Sequence, residues 1–336
     1  MSESTSPSPQ RRCLVVVGAG RSGTSAVTRG LQALGVDLGD HLKPPGHKNA
    51  KGFFEDQDIL TLNYRLHDLL RLRRNGSSLR PVSEQDFQSP AVRRLADEAT
   101  AILARRFGAK PLWGFKCIGV LRLFPFWEDV LNRLEVSAGY AIAIRNPLSV
   151  AGSRRRLDYY RGLQDKCDLE WLVHTVPYLG RVMDRPCTVV DYDRLMEDPR
   201  RELQRIARDQ YLPLTDSREQ GIERFAEQFV SPELRHNASD LQALESNDEV
   251  NPLTRDAYLW LHALGCDLRD PREAEARSQY LGIQRQVEAL GPALRHIDCL
   301  EDELRGRLLG LNGLWKTLLS RLRSPDAGAR TSATTP

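Results

Sequence analysis

The feature that most constrains the fold of this chain is a glycine-rich loop between an apolar run and an amphipathic segment. Residues 13–17 (CLVVV) are apolar and β-branched, and residues 25–34 place Val27 and Leu31 on one helical face. The loop between them, residues 18–25, reads GAGRSGTS. A strand, a glycine turn and a helix in this order are typical of the opening of a parallel α/β sheet.

Three further apolar runs have the length of buried strands. They span residues 112–118, 140–144 and 187–190. Helical patterns separate the strands, at about 90–107, 125–134, 147–162, 168–183 and 199–209. We therefore predict an α/β fold with a P-loop-like parallel sheet flanked by helices, which binds ligands at the carboxyl ends of its strands. The order of the strands does not follow from these patterns.

The two ends of the chain are rich in Ser, Pro and Thr and poor in apolar residues, which is typical of disorder. We predict a disordered tail at 1–11, an α/β domain at 12–270, a C-terminal helical extension at 271–323 and a second disordered tail at 324–336.

Apolar residues recur in the extension every three or four positions from Leu294 to Leu322. This spacing is typical of a helix with one apolar stripe, and the pair Gly291-Pro292 predicts an interruption just before it. Two interpretations stay open. The helix forms a coiled coil in a homodimer, or it packs on its own domain or on a partner.

The composition excludes several classes of protein. Lys and Arg number 48 against 45 Asp and Glu, and the formal charge of +3 argues against general nucleic-acid binding. No apolar run approaches the ~18 residues of a transmembrane helix, and no signal peptide is expected at the N-terminus. The six cysteines have neither CxxC nor zinc-site spacing, so we expect a cytoplasmic protein with free thiols and no metal site.

The glycine loop has the residue types of an anion-binding site. Backbone N–H groups at a helix start attract anions, and glycines let the backbone approach the ligand closely. Gly18, Gly20 and Gly23 match the dinucleotide pattern GxGxxG, which also requires an acidic residue ~20 positions later at the end of a strand. Asp37 and Asp40 are near that distance, but they lead into HLKPPGHKN, which has no strand pattern.

The same loop departs from a nucleoside-triphosphate loop of the GxxxxGK[ST] type. Thr24 stands where that pattern has Lys, the residue that reaches the β- and γ-phosphates. The cation lies inside the loop instead, at Arg21. This arrangement argues against turnover of ATP or GTP.

A second element follows the third predicted strand. Arg145, Asn146 and Pro147 stand at its end, and Ser153 lies eight residues after the arginine. Arginine offers a planar fork for phosphate, and Pro147 starts a helix on which Ser153 faces the same side two turns later. Next to it, the run 154–156 (RRR) is typical of a solvated helix face.

The loop and the second element together resemble the two donor-binding elements of the sulfotransferase family. The resemblance covers roughly residues 12–240 and includes GFFED at 52–56, WGFK at 113–116, VDY at 190–192 and LRHN at 234–237. The family often has Lys at the position of Arg21. Many members also continue WGFK with Asp-Pro-Arg, whereas Cys117 follows here.

The resemblance implies transfer of a sulfuryl group from 3'-phosphoadenosine 5'-phosphosulfate (PAPS) to a hydroxyl or amine. It implies in-line transfer without a metal, and an acceptor such as a carbohydrate or glycolipid. Arg21, Ser22, Gly23, Thr24 and Ser25 would bind the 5'-phosphosulfate. Arg145 and Ser153 would bind the 3'-phosphate.

Catalysis of such a transfer requires cations at the leaving phosphate and a base at the acceptor. Arg21 and Lys116 are the candidate cations. Glu55 is the first candidate base, because Phe53 and Phe54 beside it would partly desolvate it. The alternative bases are His41 and His47, and we expect His174 to be structural.

Two other functions stay open at this point. The loop is compatible with an NAD-type or other nucleotide-binding enzyme, and the C-terminal helix is compatible with a non-catalytic scaffold. Binding of adenosine 3',5'-bisphosphate would separate the sulfotransferase from both.

Overall fold

The computed structural model describes residues 11–46, 51–117, 119–230 and 240–323, and for 308–323 it describes the backbone alone. The strands within these ranges are β1 (Arg12–Val17), β2 (Leu112–Lys116), β3 (Ser137–Ile144) and β4 (Cys187–Asp191). The helices before β3 are α1 (Thr24–Ala33), α2 (Gln57–Leu69), α3 (Pro90–Phe107) and α4 (Phe124–Arg133). Those between β3 and β4 are α5 (Pro147–Arg155), α6 (Gln164–Thr175) and α7 (Leu179–Met183). After β4 follow α8 (Tyr192–Glu197), α9 (Pro199–Asp209), α10 (Asp216–Arg224), α11 (Leu241–Glu245), α12 (Pro252–Gly265), α13 (Ala274–Ala289) and α14 (Gly291–Arg323).

The four strands form one parallel sheet in the order β2-β1-β3-β4. All four predicted strands are confirmed, and so is the α/β fold with flanking helices. The second strand ends at Lys116 and not at residue 118, because its neighbour β1 pairs with it only as far as Val16 and then enters the glycine loop. Ile118 lies outside the described residues.

Each face of the sheet is covered by an apolar core. Val15 and Val17 of β1 belong to the core that α3, α4 and α12 complete, whereas Leu14 and Val16 belong to the core beneath α1. Alternate residues of a strand point to opposite faces, so the unbroken apolar run of β1 is the expected pattern for a strand buried on both sides.

Two predicted helices are shorter than expected. The stretch 147–162 contains α5 and a separate 3-10 turn at Tyr160–Gly162, and the stretch 168–183 is divided between α6 and α7. The division falls at Pro177, which lacks the N–H that would continue the hydrogen-bond pattern of α6.

The C-terminal residues form α13 and α14, and the predicted interruption between them is confirmed at Leu290. The beginning of α14 packs on its own chain, where Leu294 contacts a small cluster with Leu79 and Val173. The homodimer stays a prediction, because the apolar residues from Leu308 onwards lie outside the side chains described. The domain limits also stay predictions, and both predicted tails lie almost wholly outside the described residues.

Candidate functional site

The glycine loop lies at the carboxyl edge of the sheet, between β1 and α1. Gly18 has φ +141° and Gly23 φ +83°, conformations that L side chains rarely adopt. A Cβ at Gly18 would lie 2.3 Å from the carbonyl oxygen of Ala143, and one at Gly23 would lie 2.2 Å from the Tyr192 ring. Glycine is therefore required here because β3 and Tyr192 press directly against the loop.

Arg21 joins the loop to the second predicted element. Its Nε and Nη2 donate to the hydroxyl oxygen of Ser153 on α5, at 3.1 Å and 3.0 Å. These residues are 132 positions apart in the chain. The two stretches that the sequence analysis singled out therefore face each other in the folded protein.

Arg145 completes this cluster from the end of β3. The side chain is buried, with its guanidinium carbon 4.3 Å from the centre of the Tyr192 ring. Asn146 caps α5 by accepting from the backbone N–H of Leu148 at 3.0 Å. Burial, followed by the positive charges of Arg145 and Arg154, lowers the pKa of Arg21. Three guanidinium groups thus converge, and an anion bound among them would relieve their mutual repulsion.

Arg154 corrects the expectation of a solvated face at 154–156. Arg155 and Arg156 are exposed, but Arg154 is 7% exposed, donates to the carbonyl of Gly20 at 3.2 Å and forms an ion pair with Glu170. Its position four residues after the buried Val150 was the available signal, since residues at that spacing share a helix face.

Glu55 and Lys116 meet in a buried ion pair. The Lys116 ammonium nitrogen lies 3.1 Å from one Glu55 oxygen, and that of Lys43 lies 3.8 Å from the other. Lys116 is the last residue of β2, and Glu55 directly precedes Asp56, which caps α2. The side chains of the two phenylalanines before Glu55 point in different directions. The Phe53 ring lies under the Lys43 ammonium, whereas the Phe54 ring packs against Phe229.

A cavity of about 630 Å³ connects the glycine loop with this ion pair. Predicted site residues on its wall are Arg21, Thr24, Ser25, Glu55 and Lys116. Arg145 and Ser153 are buried behind Arg21 and are not part of this wall. Ser22 is also buried, and its hydroxyl oxygen has no hydrogen-bond partner in the described part of the chain.

Several other residues of the wall were not predicted as site residues from the sequence: Lys43, Tyr64, Arg74, Asn75, Gly76, Arg161 and His174. Several of these belong to an irregular segment after α2, where periodicity gives no signal. Tertiary packing alone brings them to the cavity.

The histidines named in the sequence analysis, His41, His47 and His174, differ in their position relative to the cavity. His41 is half-exposed, lies 3.5 Å from Asp58 and is not on the cavity wall. His47 lies outside the described residues. His174 is buried at the wall with its Nε2 2.7 Å from the carbonyl oxygen of Gly76, and burial lowers its pKa to about 3. A neutral His174 therefore donates this bond and holds Gly76 in place.

The residues that the structure describes contain no group of three His, Cys, Asp or Glu arranged to hold a metal ion. None of their helices combines the length and the apolar character that crossing a membrane would require.

Comparison with known proteins gave matches among solved structures. No family model and no curated protein matches the sequence. The sulfotransferase domain from the olefin synthase of Synechococcus PCC 7002 has 17% identity and a TM-score of 0.37, over 85% of this chain and 97% of that chain. The sulfotransferase STF9 from Mycobacterium avium has 19% identity and a TM-score of 0.37, over 78% of each chain. The sulfotransferase domain from the curacin biosynthetic pathway has 16% identity and a TM-score of 0.35, over 84% of this chain and 99% of that chain. All three of these solved structures are sulfotransferases or sulfotransferase domains.

Proposed function

We propose that this protein is a sulfotransferase that moves a sulfuryl group from PAPS to a hydroxyl or amine acceptor, such as a saccharide or glycolipid. The observation that carries the proposal is the contact of Arg21 with Ser153, which unites the glycine loop and the Arg145 element in one cationic site. PAPS carries anionic groups at the 5' and 3' positions of one ribose, and a site with two linked cationic elements suits it.

The donor-binding roles follow from the chemistry of the cluster. Arg21, Gly23, Thr24 and Ser25 surround the N-terminus of α1, where the helix dipole and the backbone N–H groups of the first turn favour the 5'-phosphosulfate. Arg145 and Ser153 would bind the 3'-phosphate. Arg21 donates to the Ser153 oxygen, so the Ser153 O–H can still donate to an oxygen of the 3'-phosphate.

The catalytic roles rest on the buried pair of Glu55 and Lys116. Glu55 would take the proton from the acceptor molecule while the acceptor's oxygen or nitrogen attacks the sulfur of PAPS. The bond between sulfur and the bridging phosphate oxygen breaks in the same step, leaving the electron pair on adenosine 3',5'-bisphosphate. Lys116 and Arg21 would stabilise the charge that develops there.

The dinucleotide alternative lacks a supporting observation. Asp37 forms an isolated β-bridge with Trp113, and Trp113 is in register with Cys13 near the amino end of β1. The Asp37 carboxylate binds the Lys110 ammonium at 2.6 Å. Asp37 therefore lies at the amino ends of the strands, whereas the glycine loop lies at their carboxyl ends. From there Asp37 cannot reach a ribose bound at the loop.

The proposal is tested first by ligand-induced thermal stabilisation. We expect adenosine 3',5'-bisphosphate to raise the Tm, and 5'-AMP, ATP and NAD to do so much less. Incubation with ³⁵S-labelled PAPS and a panel of saccharide, phenol and amine acceptors then identifies the product. Stabilisation by NAD or ATP but not by the bisphosphate would refute the proposal.

We also propose a cytoplasmic location, supported by six cysteines that are all free thiols. The homodimer through α14 belongs to the same set of proposals. Light scattering after gel filtration would test it, and a monomer at micromolar concentration would contradict it.

A further inference from the structure

A second cluster of reactive groups lies at the end of α12, apart from the cavity described above. The Cys266 sulfur lies 3.4 Å from Nε2 of His262, and Nδ1 of His262 lies 3.2 Å from Oδ2 of Asp191. Arg194 donates to the same sulfur from Nη1 at 3.1 Å. A carboxylate, an imidazole and a thiol are thus connected in series, with a guanidinium on the sulfur.

Asp191 determines which nitrogen of His262 carries the proton. Its Oδ1 accepts from the backbone N–H groups of Asp193 and Arg194, at 2.9 Å and 3.4 Å, so the carboxylate is held as the cap of α8. Its Oδ2 also accepts from the Tyr258 hydroxyl at 2.9 Å, and burial raises the pKa of that tyrosine. Nδ1 of His262 therefore donates to the carboxylate, and Nε2 is left to accept the thiol proton.

The side chains in contact with the Cys266 sulfur can stabilise negative charge on it once the thiol proton has left. Proton transfer to His262 would place an imidazolium on one side of the sulfur and the Arg194 guanidinium on another. Glu202 binds Arg194 at 3.1 Å and holds it in position. The carboxyl end of α12 opposes a thiolate, but the two cationic groups contact the sulfur directly.

We propose that Cys266 is a nucleophilic thiol site that reacts with small hydroperoxides. The side chain is partly exposed, so a reagent the size of hydrogen peroxide reaches it. In the reaction, the thiolate sulfur attacks one peroxide oxygen and the O–O bond breaks. The imidazolium of His262 gives its proton to the departing hydroxide, which leaves as water. Sulfur is oxidised to sulfenic acid, and the peroxide is reduced.

The other cysteines provide contrast within the same molecule. Cys13, Cys117 and Cys167 are buried, and Cys187 is intermediate in exposure. Burial raises the pKa of all four thiols, to about 11 for Cys167 and Cys187. Cys299 on α14 is exposed, and it serves as an internal reference for an accessible thiol.

The test is the rate of alkylation of each cysteine by iodoacetamide in the full-length native protein at pH 7, read by peptide mass spectrometry. We expect Cys266 to react about three to ten times faster than Cys299 despite its lower exposure, because the thiolate is the reactive form. After one equivalent of hydrogen peroxide, dimedone should label Cys266 in preference to Cys299.

Two variants distinguish activation of the Cys266 thiol from its exposure to the labelling reagent. His262→Gln and Arg194→Gln should each slow labelling of Cys266 by several fold and leave the rate at Cys299 unchanged. Protection of Cys187 in each variant reports that the fold is intact. A wild-type Cys266 that labels no faster than Cys299 overturns the proposal, and this comparison does not depend on either variant. It is also independent of the sulfotransferase proposal, since neither donor nor acceptor is present.

Discussion

Arg145 is the side chain that distinguishes one nucleotide from another in this proposal. It is buried between the end of β3 and the Tyr192 ring. Its positive charge and that of Arg154 both act on the Arg21 guanidinium. Within the protein, Glu170 pairs with Arg154 and compensates one of the three charges. An anionic ligand would offset the repulsion that Arg21 experiences from Arg145 and Arg154.

We predict that Arg145→Ala weakens binding of adenosine 3',5'-bisphosphate about 10- to 100-fold, the expected loss for a charge-assisted hydrogen bond. Binding of 5'-AMP should change little, because it lacks the 3'-phosphate. Isothermal titration calorimetry with both nucleotides measures the two affinities. The exposed Arg156→Ala is the matched control. Equal losses for both nucleotides would contradict the assignment of Arg145 to the 3'-phosphate.

Glu55→Gln tests the proposed base. We expect kcat to fall about 10²- to 10⁴-fold, the usual contribution of a general base. The affinity for adenosine 3',5'-bisphosphate should be retained, since Glu55 contacts Lys116 and Lys43 and not the Arg21 cluster. Steady-state kinetics and nucleotide titration on the same preparation separate the two effects. If kcat stays within a few fold of wild type, the base is another residue.

Among the elements, the segment 71–81 after α2 and the C-terminal helix α14 depend on each other. Asp298 of α14 accepts from the backbone N–H groups of Leu79 and Arg80, at 2.7 Å and 3.1 Å, and forms an ion pair with Arg73. From the other side, Arg122 donates to the carbonyl oxygen of Ser78 at 2.6 Å. The cavity wall at 74–76 is therefore held in place from outside the α/β sheet.

We predict that Asp298→Asn lowers the free energy of unfolding by about 1–3 kcal/mol, because a buried charge-assisted network loses its anion. Asp302→Asn is the control, since Asp302 contacts the same Arg73 at 3.1 Å but is mostly exposed. It should cost less than about 0.5 kcal/mol. Urea unfolding followed by circular dichroism measures both. Equal effects would mean that burial of the Asp298 carboxylate is not what anchors the segment.

For the whole molecule, two buried groups give stability opposite dependences on pH. His174 has a folded pKa of about 3, below its usual 6.5, so it favours folding above pH 6.5, and that stability is lost as the pH falls towards 3. Burial raises the pKa of Asp168 to about 6, so its charged form opposes folding, and stability from this group falls as the pH rises from about 4 to 6.

His174→Gln should therefore flatten the acid limb of the stability curve. Glutamine can still donate to Gly76, but it does not titrate, which removes a loss of up to about 5 kcal/mol between pH 6.5 and 3. Urea midpoints at pH 4.5, 5.5, 6.5 and 7.5 measure the slope. The control is His296→Gln, because His296 is exposed. A variant curve parallel to wild type would rule out a buried neutral His174.

The strands were predictable because a strand buried on both faces must be apolar along its whole length. Arg21, Arg145 and Ser153 were predicted as site residues from local motifs (a glycine turn, a strand end and an eight-residue spacing) and from the family resemblance that these motifs carry. Arg154 was misassigned because three adjacent arginines look alike in sequence. Only one of them lies on the helix face that meets Gly20.

Local chemistry in the chain is sufficient to specify the presence of the four strands, the glycine turn and the types of residue at the strand ends. It is not sufficient to specify which distant groups touch. The strand order, the contact of Arg21 with Ser153, the pairing of Glu55 with Lys116 and the alignment of Asp191, His262 and Cys266 all depend on packing between segments. The physical reason is the distance along the chain over which each effect acts. Backbone conformation and burial pattern act over a few residues, whereas these contacts join positions that come together only when both apolar faces of the sheet are covered.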